Sequence, residues 1–99
     1  MARLSTHVLD TARGRPAAGI AVQLYDSARE LLNIATTDAD GRALLHESLP
    51  PGVYELWFAV KASPFLEDVV VRFRVTEGET KYHVPLLLSP YGYTTYRGS

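Results

Sequence analysis

Apolar and polar residues alternate with a period of two in short runs along the whole chain. This spacing is typical of β-strands that bury one face, and Gly, Pro and Asp residues separate the runs as turns would. No stretch keeps helical spacing over three turns. The pattern predicts eight strands, over residues 4–9, 20–26, 31–36, 43–46, 53–60, 69–75, 82–88 and 91–96. It therefore indicates an all-β protein, a sandwich or a barrel.

The first and seventh runs each have an apolar face and a face that carries a histidine. The apolar faces are formed by Leu4, Thr6 and Val8 in the first run and by Tyr82, Val84, Leu86 and Leu88 in the seventh. If these faces are in the core, His7 and His83 point away from it. Pro85 lies within the seventh run and has no N–H for a sheet ladder, so one side of that strand is expected to be unpaired or bulged. The outer face of these strands is predicted to be a functional surface.

The length and composition indicate one ordinary globular domain, residues 1–99. Of the 99 residues 46% are hydrophobic and 21% are charged, and the chain is too short for a second domain. Ten basic and eleven acidic residues give a net charge of -1, and no stretch concentrates Lys and Arg. A nucleic-acid or anionic-membrane partner requires such a concentration, so neither partner is expected.

The cysteine count and the N-terminal segment bear on where the protein works. The chain has no cysteine, which rules out disulfides, thiolate nucleophiles and cysteine metal sites. The opening residues, MARLSTHVLD, hold no apolar signal segment. No apolar stretch approaches the roughly 20 residues that span a bilayer. A cytoplasmic location is expected, unless a leader has been removed.

Two features that could bind a metal ion have simpler explanations. The histidines lack HxH or HExxH spacing, although a zinc site of His7, His83 and Asp10 can be drawn. Residues 38–41, DADG, are similar to the start of a calcium loop but lack its later acidic ligands, so a tight Asp-Gly turn is expected. His46, the last residue of the predicted run 43–46, is expected to be a loop-side residue without a functional role. No metal and no cofactor are expected.

Three segments together resemble one known family. They are LSTHVLDTARGRPAAGI near the start, TDADGR in the middle and KYHVPLLLSPYGYTTYRGS at the end. These segments are similar to the transthyretin-related family, and in particular to its hydrolase branch, over nearly the whole chain. The ending Tyr-Arg-Gly-Ser, residues 96–99, is the most specific part, because the thyroid-hormone carriers of the family share LLSPY but lack this ending.

The resemblance implies a two-sheet, transthyretin-like β-sandwich that assembles as a homotetramer, a dimer of dimers. Its active sites would lie at the interface between dimers, on the outer strand faces where the alternation places His7 and His83. The chain departs from the family at residues 61–68, KASPFLED, because this connection is shorter than in most members. Any helix there is expected to be lost or reduced to one turn.

The activity that the resemblance implies is hydrolysis of 5-hydroxyisourate, a planar, carbonyl-rich purine derivative, in urate degradation. Opening its cyclic amide needs a base for the water, donors for the oxyanion and an acid for the leaving nitrogen. The catalytic candidates are His7, Arg42, His83 and Ser99, and the substrate-binding candidates are His7, Arg42 and Tyr96. Either histidine can be base or acid, and the guanidinium of Arg42 can hold adjacent carbonyl oxygens. Ser99 is an orienting group or, as the lesser option, a nucleophile.

Two other functions are possible for a protein of this class. A transthyretin-like carrier would hold a hydrophobic ligand in an apolar channel, but the two histidines, Arg42 and the Tyr-Arg-Gly-Ser ending would make such a channel polar. A purely structural sandwich module would be a monomer without an outward-facing cluster of His and Arg. The hydrolase is therefore the preferred interpretation.

Overall fold

β-Strands account for all the regular structure in residues 1–61 and 63–99, which are the residues that the computed structural model describes. The nine strands are β1 (Ala2–Asp10), β2 (Arg15–Pro16), β3 (Ala21–Asp26), β4 (Leu31–Thr36), β5 (Arg42–Leu49), β6 (Gly52–Phe58), β7 (Val69–Val75), β8 (Lys81–Ser89) and β9 (Gly92–Thr95). Each predicted run overlaps one of them, and only the short β2 was not predicted. The described residues include no helix long and apolar enough to cross a membrane.

The strands form two sheets that pack face to face. One sheet has the order β2-β1-β8-β9, with β5 pairing β1 as a fifth strand, and the other has the order β4-β3-β6-β7. Strand β1 pairs with β8 in parallel, from Arg3 opposite Lys81 to Asp10 opposite Leu88, and with β5 in antiparallel fashion. The start and the end of the chain therefore lie side by side, and the predicted two-sheet sandwich is confirmed.

The core lies between the sheets and takes side chains from both. The largest fully buried apolar side chains are Leu4, Val8, Leu45, Leu49 and Leu86 from the first sheet and Val22, Leu24, Leu56, Phe58 and Val69 from the second. Burial of each such side chain contributes about 1.5–3 kcal/mol. Thr6 is also fully buried, and its hydroxyl donates to the carbonyl oxygen of Val84 at 2.6 Å. The predicted apolar faces are thus the core, and His7 and His83 are half-buried on the outer face.

Pro85 interrupts the pairing between β8 and the end of the chain. Strand β9 ends at Thr95, and pairing resumes as a single bridge between His83 and Gly98. The interruption follows from the missing N–H of proline, which cannot donate to a neighbouring strand. The predicted unpaired side of this strand is confirmed, and the last strand ends before Tyr96 rather than including it.

His46 lies inside strand β5 and not at its loop-side end, so the predicted run 43–46 ended too early. Strand β5 continues to Leu49 because it pairs with β1, where His46 is opposite Leu4 and Leu49 is opposite Ala2. The register shifts between these pairs, as at a β-bulge. Pairing with a neighbouring strand therefore outweighs the turn-like composition of HESLPPG.

The connection between β6 and β7 has no helix at residue 61 or at residues 63–68. The hydroxyl of Ser63 accepts hydrogen bonds from the backbone N–H groups of Phe65 at 3.1 Å and Leu66 at 2.8 Å, and donates to the carbonyl of Pro90 at 2.7 Å. A serine side chain therefore closes this turn. Ala62, which belongs to the predicted helical turn, lies outside the described residues.

Candidate active site

A cleft of about 610 Å³ opens on the outer face of the first sheet. Strands β1, β5 and β8 and the end of the chain line one side, and the end of β4 with the following turn lines the other. The cleft brings together Arg42, His83 and Ser99, three predicted site residues that are far apart in the sequence. Parallel pairing of β1 with β8 and antiparallel pairing of β1 with β5 create this juxtaposition.

Arg42 is positioned by a tight turn at the start of β5. The carboxylate of Asp38 accepts hydrogen bonds from the backbone N–H groups of Asp40 at 2.9 Å and Arg42 at 3.0 Å. Gly41 has a φ of 76°, and its carbonyl accepts a hydrogen bond from the N–H of Val8 at 2.7 Å. A Cβ on Gly41 would collide with the carbonyl oxygen of Val8, so this position requires glycine. The expected Asp-Gly turn is present, and it holds Arg42 against β1.

His83 is held between β1 and the end of the chain. Its Nδ1 lies 2.9 Å from the Oγ of Ser5, which stands opposite it on β1. On the other side of β8, the N–H of Gly98 donates to the carbonyl of His83 at 2.7 Å. A Cβ on Gly98 would lie 2.7 Å from Cδ2 of His83. The lack of a side chain at this glycine therefore allows the close approach to the ring.

Burial lowers the pKa of His83 below its ordinary value of 6.5, and the nearby charges of Arg42, His7 and Lys81 lower it further. All of these effects disfavour the positively charged imidazolium. His83 is therefore neutral at neutral pH, so that one ring nitrogen can accept a proton. This is the protonation state that a general base requires.

The charged side chains of the cleft are mainly basic. Arg3 on β1, Arg42 on β5 and Lys81 on β8 line it, together with one carboxylate, Asp38. That carboxylate is engaged with backbone N–H groups of its own turn. The cleft therefore favours a small ligand with carbonyl or anionic oxygens over an apolar one.

Two predicted site residues lie outside the lining of this cleft. His7 is opposite Arg42 on β5 and Pro85 on β8, and it is near enough to influence the pKa of His83. It therefore stands beside the cleft. Tyr96 is 56% exposed and does not contribute to the cleft of the single chain.

Arg97 points away from the cleft and anchors the end of the chain. Its guanidinium lies 4.3 Å from the centre of the Tyr82 ring, a cation–π contact. It also donates to the carbonyl of Lys81 at 3.2 Å and lies 3.5 Å from the carboxylate of Glu79. These contacts hold the segment from which Ser99 reaches the cleft.

Arg3, Ser5, Lys81 and Gly98 were not named as residues of the site from the sequence. Arg3 and Ser5 share the outer face with His7, and Lys81 shares it with His83, so the alternation contained a signal for these three. The alternation of polar and apolar residues gave no indication that Gly98 belongs to the site. Its role arises from contact between the end of the chain and β8.

The chain is similar to one family over nearly its whole length. Residues 4–98 match the model of the HIUase/Transthyretin family. The 5-hydroxyisourate hydrolase of Mesorhizobium japonicum is 47% identical over 115 aligned residues, which cover 98% of this chain and 92% of that protein. Because the alignment is longer than the 99-residue chain, the relative has residues without a counterpart here. The shorter connection expected at residues 61–68 would leave such residues unmatched in the relative.

Solved structures show the same fold in proteins with different names. Klebsiella pneumoniae 5-hydroxyisourate hydrolase superposes with a TM-score of 0.89 and 38% identity, over 100% of both chains. Sea bream transthyretin, solved in complex with thyroxine, superposes with a TM-score of 0.86 and 33% identity, over 96% of this chain and 93% of that chain. The fold alone does not decide between hydrolysis and ligand carriage. The side chains of the cleft therefore have to decide between these two functions.

Proposed function

Because the chain belongs to the HIUase/transthyretin family, we propose that it hydrolyses 5-hydroxyisourate to 2-oxo-4-hydroxy-4-carboxy-5-ureidoimidazoline. One observation carries the proposal: Arg42, His83 and Ser99 meet in a single basic cleft. A planar substrate with several carbonyl oxygens matches the donors of this cleft. Besides the substrate, the reaction consumes only water. The base, the oxyanion donor and the acid that it needs are side chains of this chain.

His83 is the proposed base. The oxygen of a water molecule bonds to the carbonyl carbon of the ring amide while one of its protons passes to the neutral imidazole. The carbonyl oxygen then carries a negative charge, which the guanidinium of Arg42 stabilises by donating hydrogen bonds. The C–N bond breaks as the leaving nitrogen receives a proton, and His7 is the proposed donor of that proton.

Ser99 is proposed to bind and orient the substrate rather than to attack it. A serine nucleophile requires a base within hydrogen-bond distance of its hydroxyl. Nδ1 of His83 is already bonded to Ser5, and among the described residues no side-chain hydrogen bond joins Ser99 to a histidine. Attack by water needs no such pair.

A carrier of an apolar ligand fits this cleft less well. Sites for such ligands are lined mainly by hydrophobic and aromatic side chains, with few polar groups. Here Arg3, Arg42, Lys81 and His83 line the cleft. The hydrolase is therefore preferred to the carrier, although transthyretin has the same fold.

The proposed assembly is a homotetramer, a dimer of dimers, as the family resemblance implies. Strands β7 and β9 are edge strands of the two sheets, and an edge strand can pair with another chain. Val70 on β7 and Tyr93 on β9 are exposed hydrophobic side chains that support contact there. Tyr96, also exposed, remains a candidate for a site completed by a second subunit. The cytoplasmic location likewise stays a prediction.

The direct test supplies 5-hydroxyisourate as substrate. Urate oxidase generates it from urate in the cuvette, and its ultraviolet absorbance is followed with and without the protein. We expect the wild-type protein to accelerate the decay in proportion to its concentration. With His83→Ala, we expect 5-hydroxyisourate to decay no faster than it does without protein. His46→Ala is the matched control, because His46 bonds to the backbone N–H of Ser48 and does not line the cleft. A spontaneous rate with the wild-type protein would contradict the proposed function.

A further inference from the structure

Ser5 and His83 form a side-chain pair across two parallel strands. They are opposite one another in the register of β1 and β8, and the Oγ of Ser5 lies 2.9 Å from Nδ1 of His83. Both residues are half-buried and line the cleft. The bond joins residues 78 positions apart in the sequence, so it depends on the pairing of the two strands. Since adjacent strands hold both Cα atoms, the serine is fixed relative to the ring.

The surroundings of the ring leave one nitrogen for the substrate. Nδ1 faces Ser5, and the Cδ2 edge faces Gly98, where a Cβ would lie only 2.7 Å from Cδ2. In an imidazole the remaining two ring atoms, Cε1 and Nε2, lie farthest from the Cβ that carries the ring. Nε2 is therefore the nitrogen of His83 that is available for proton transfer in the cleft.

The tautomer of His83 decides what Nε2 can do. A neutral imidazole carries one proton, and the hydrogen bond made by one nitrogen sets which nitrogen holds it. If the proton is on Nδ1, that N–H donates to the oxygen of Ser5 and Nε2 has a free lone pair. If the proton is on Nε2, the serine hydroxyl donates to Nδ1 and Nε2 cannot act as a base.

We propose that Ser5 is a positioning residue, whose hydroxyl oxygen accepts the Nδ1–H of His83 and so presents the Nε2 lone pair to the attacking water. This rests on the proposed function, in which His83 takes a proton from water. When Nε2 is protonated, Nδ1 keeps its proton and the bond to Ser5 persists. The serine therefore holds the ring in one orientation through both charge states.

Three variants separate this role from a merely structural one. Ser5→Ala removes the acceptor of the Nδ1–H hydrogen bond. The loss of one hydrogen bond corresponds to a decrease in kcat of roughly tenfold, and KM should change little. Ser5→Thr keeps a hydroxyl at the same strand position and should restore most of kcat. Ser27→Ala changes an exposed serine in the turn after β3 and should have no effect. Thermal unfolding of each variant tests whether the fold is intact.

The tautomer is measured without substrate, by long-range proton–nitrogen NMR of protein labelled with 15N in its imidazole rings. We expect the Nδ1–H form of His83 in the wild type and in Ser5→Thr, and a mixture of the two forms in Ser5→Ala. An Nε2–H form in the wild type, or a kcat for Ser5→Ala equal to that of the wild type, would overturn the proposal. Failure of the proposed function has a different signature: 5-hydroxyisourate decays at its spontaneous rate although the tautomer of His83 still depends on Ser5.

Discussion

Arg42 carries its charge on a planar guanidinium at the end of a tight turn, and the proposed mechanism depends on that shape. Arg42→Lys should lower kcat/KM roughly a hundredfold or more, because lysine keeps the charge but loses the fork that can hold adjacent carbonyl oxygens. The thermal midpoint should change little, since Arg42 is exposed. Arg74→Lys, on the exposed face of β7, is the control. Wild-type turnover in Arg42→Lys would remove the guanidinium from the mechanism.

The acid limb of the activity profile should report the pKa of His83. That pKa lies below 6.5 because burial and the charges of Arg42, His7 and Lys81 disfavour the imidazolium. Since the base must be neutral, kcat/KM should fall as the pH drops through this lowered pKa. Lys81→Gln removes one of these positive charges, so the pKa of His83 and the acid limb should both move to higher pH.

A pH profile of kcat/KM and an NMR titration of His83 measure these two quantities independently. Lys61→Gln, in the exposed connection after β6, is the matched control and should leave both unchanged. If Lys81→Gln moves neither quantity, the electrostatic account of His83 is wrong.

At the scale of single elements, the turn between β4 and β5 depends on Gly41. Gly41→Ala should destabilise the protein by more than about 1 kcal/mol, since alanine would adopt a positive φ and its Cβ would collide with the Val8 carbonyl. Gly19→Ala is the matched control, because Gly19 has a φ of 75° but open space around its Cβ position. Chemical denaturation gives both free energies of unfolding. Equal losses in the two variants would show that the collision does not matter.

The segment after β9 offers a second prediction at this scale. Gly98→Ala would place a Cβ 2.7 Å from Cδ2 of His83 and 3.2 Å from Cγ of Pro85, so the end of the chain must move away from β8. We expect kcat/KM to fall at least tenfold, because Ser99 would leave the cleft, while the core and the unfolding midpoint are preserved.

Gly92→Ala is the control for this substitution, since its Cβ would meet only the Oγ of Ser89, at an ordinary 3.6 Å. The kinetic assay with 5-hydroxyisourate and thermal unfolding measure the two effects. A Gly98→Ala protein as active as Gly92→Ala would show that the end of the chain is not needed for turnover.

For the whole molecule, the proposed homotetramer predicts a mass close to four times the 11.0 kDa of the chain. Light scattering after size-exclusion chromatography measures it. Tyr93→Lys should reduce the mass, because a charge on the edge strand β9 opposes pairing with another chain. Tyr25→Phe, on β3 inside the other sheet, should keep the wild-type mass. A fully active protein of 11.0 kDa would contradict both the assembly and a site between subunits.

Much of the fold and part of the site could be predicted from the sequence. The strands, the outward histidines and the family resemblance are confirmed, the last by the match over residues 4–98. The run 43–46 was predicted to end at His46 because the residues that follow resemble a turn, whereas pairing with β1 continues the strand to Leu49. Of the predicted site residues, Arg42, His83 and Ser99 line one cleft, and His7 lies beside it. Their roles in catalysis stay predictions.

The sequence by itself determined which segments are strands and which side of each is buried, because alternation is a local property of the backbone. It also contained the ending, residues 96–99, on which the resemblance to the hydrolase branch rests. Only the tertiary structure decided that Ser5 meets Nδ1 of His83, that Gly98 lies against the same ring and that Arg42 and Lys81 help to keep that ring neutral. These contacts depend on which strands pair and on the register of the pairing. Strand pairing brings together residues that are far apart in the sequence, so a local sequence pattern cannot predict the contacts.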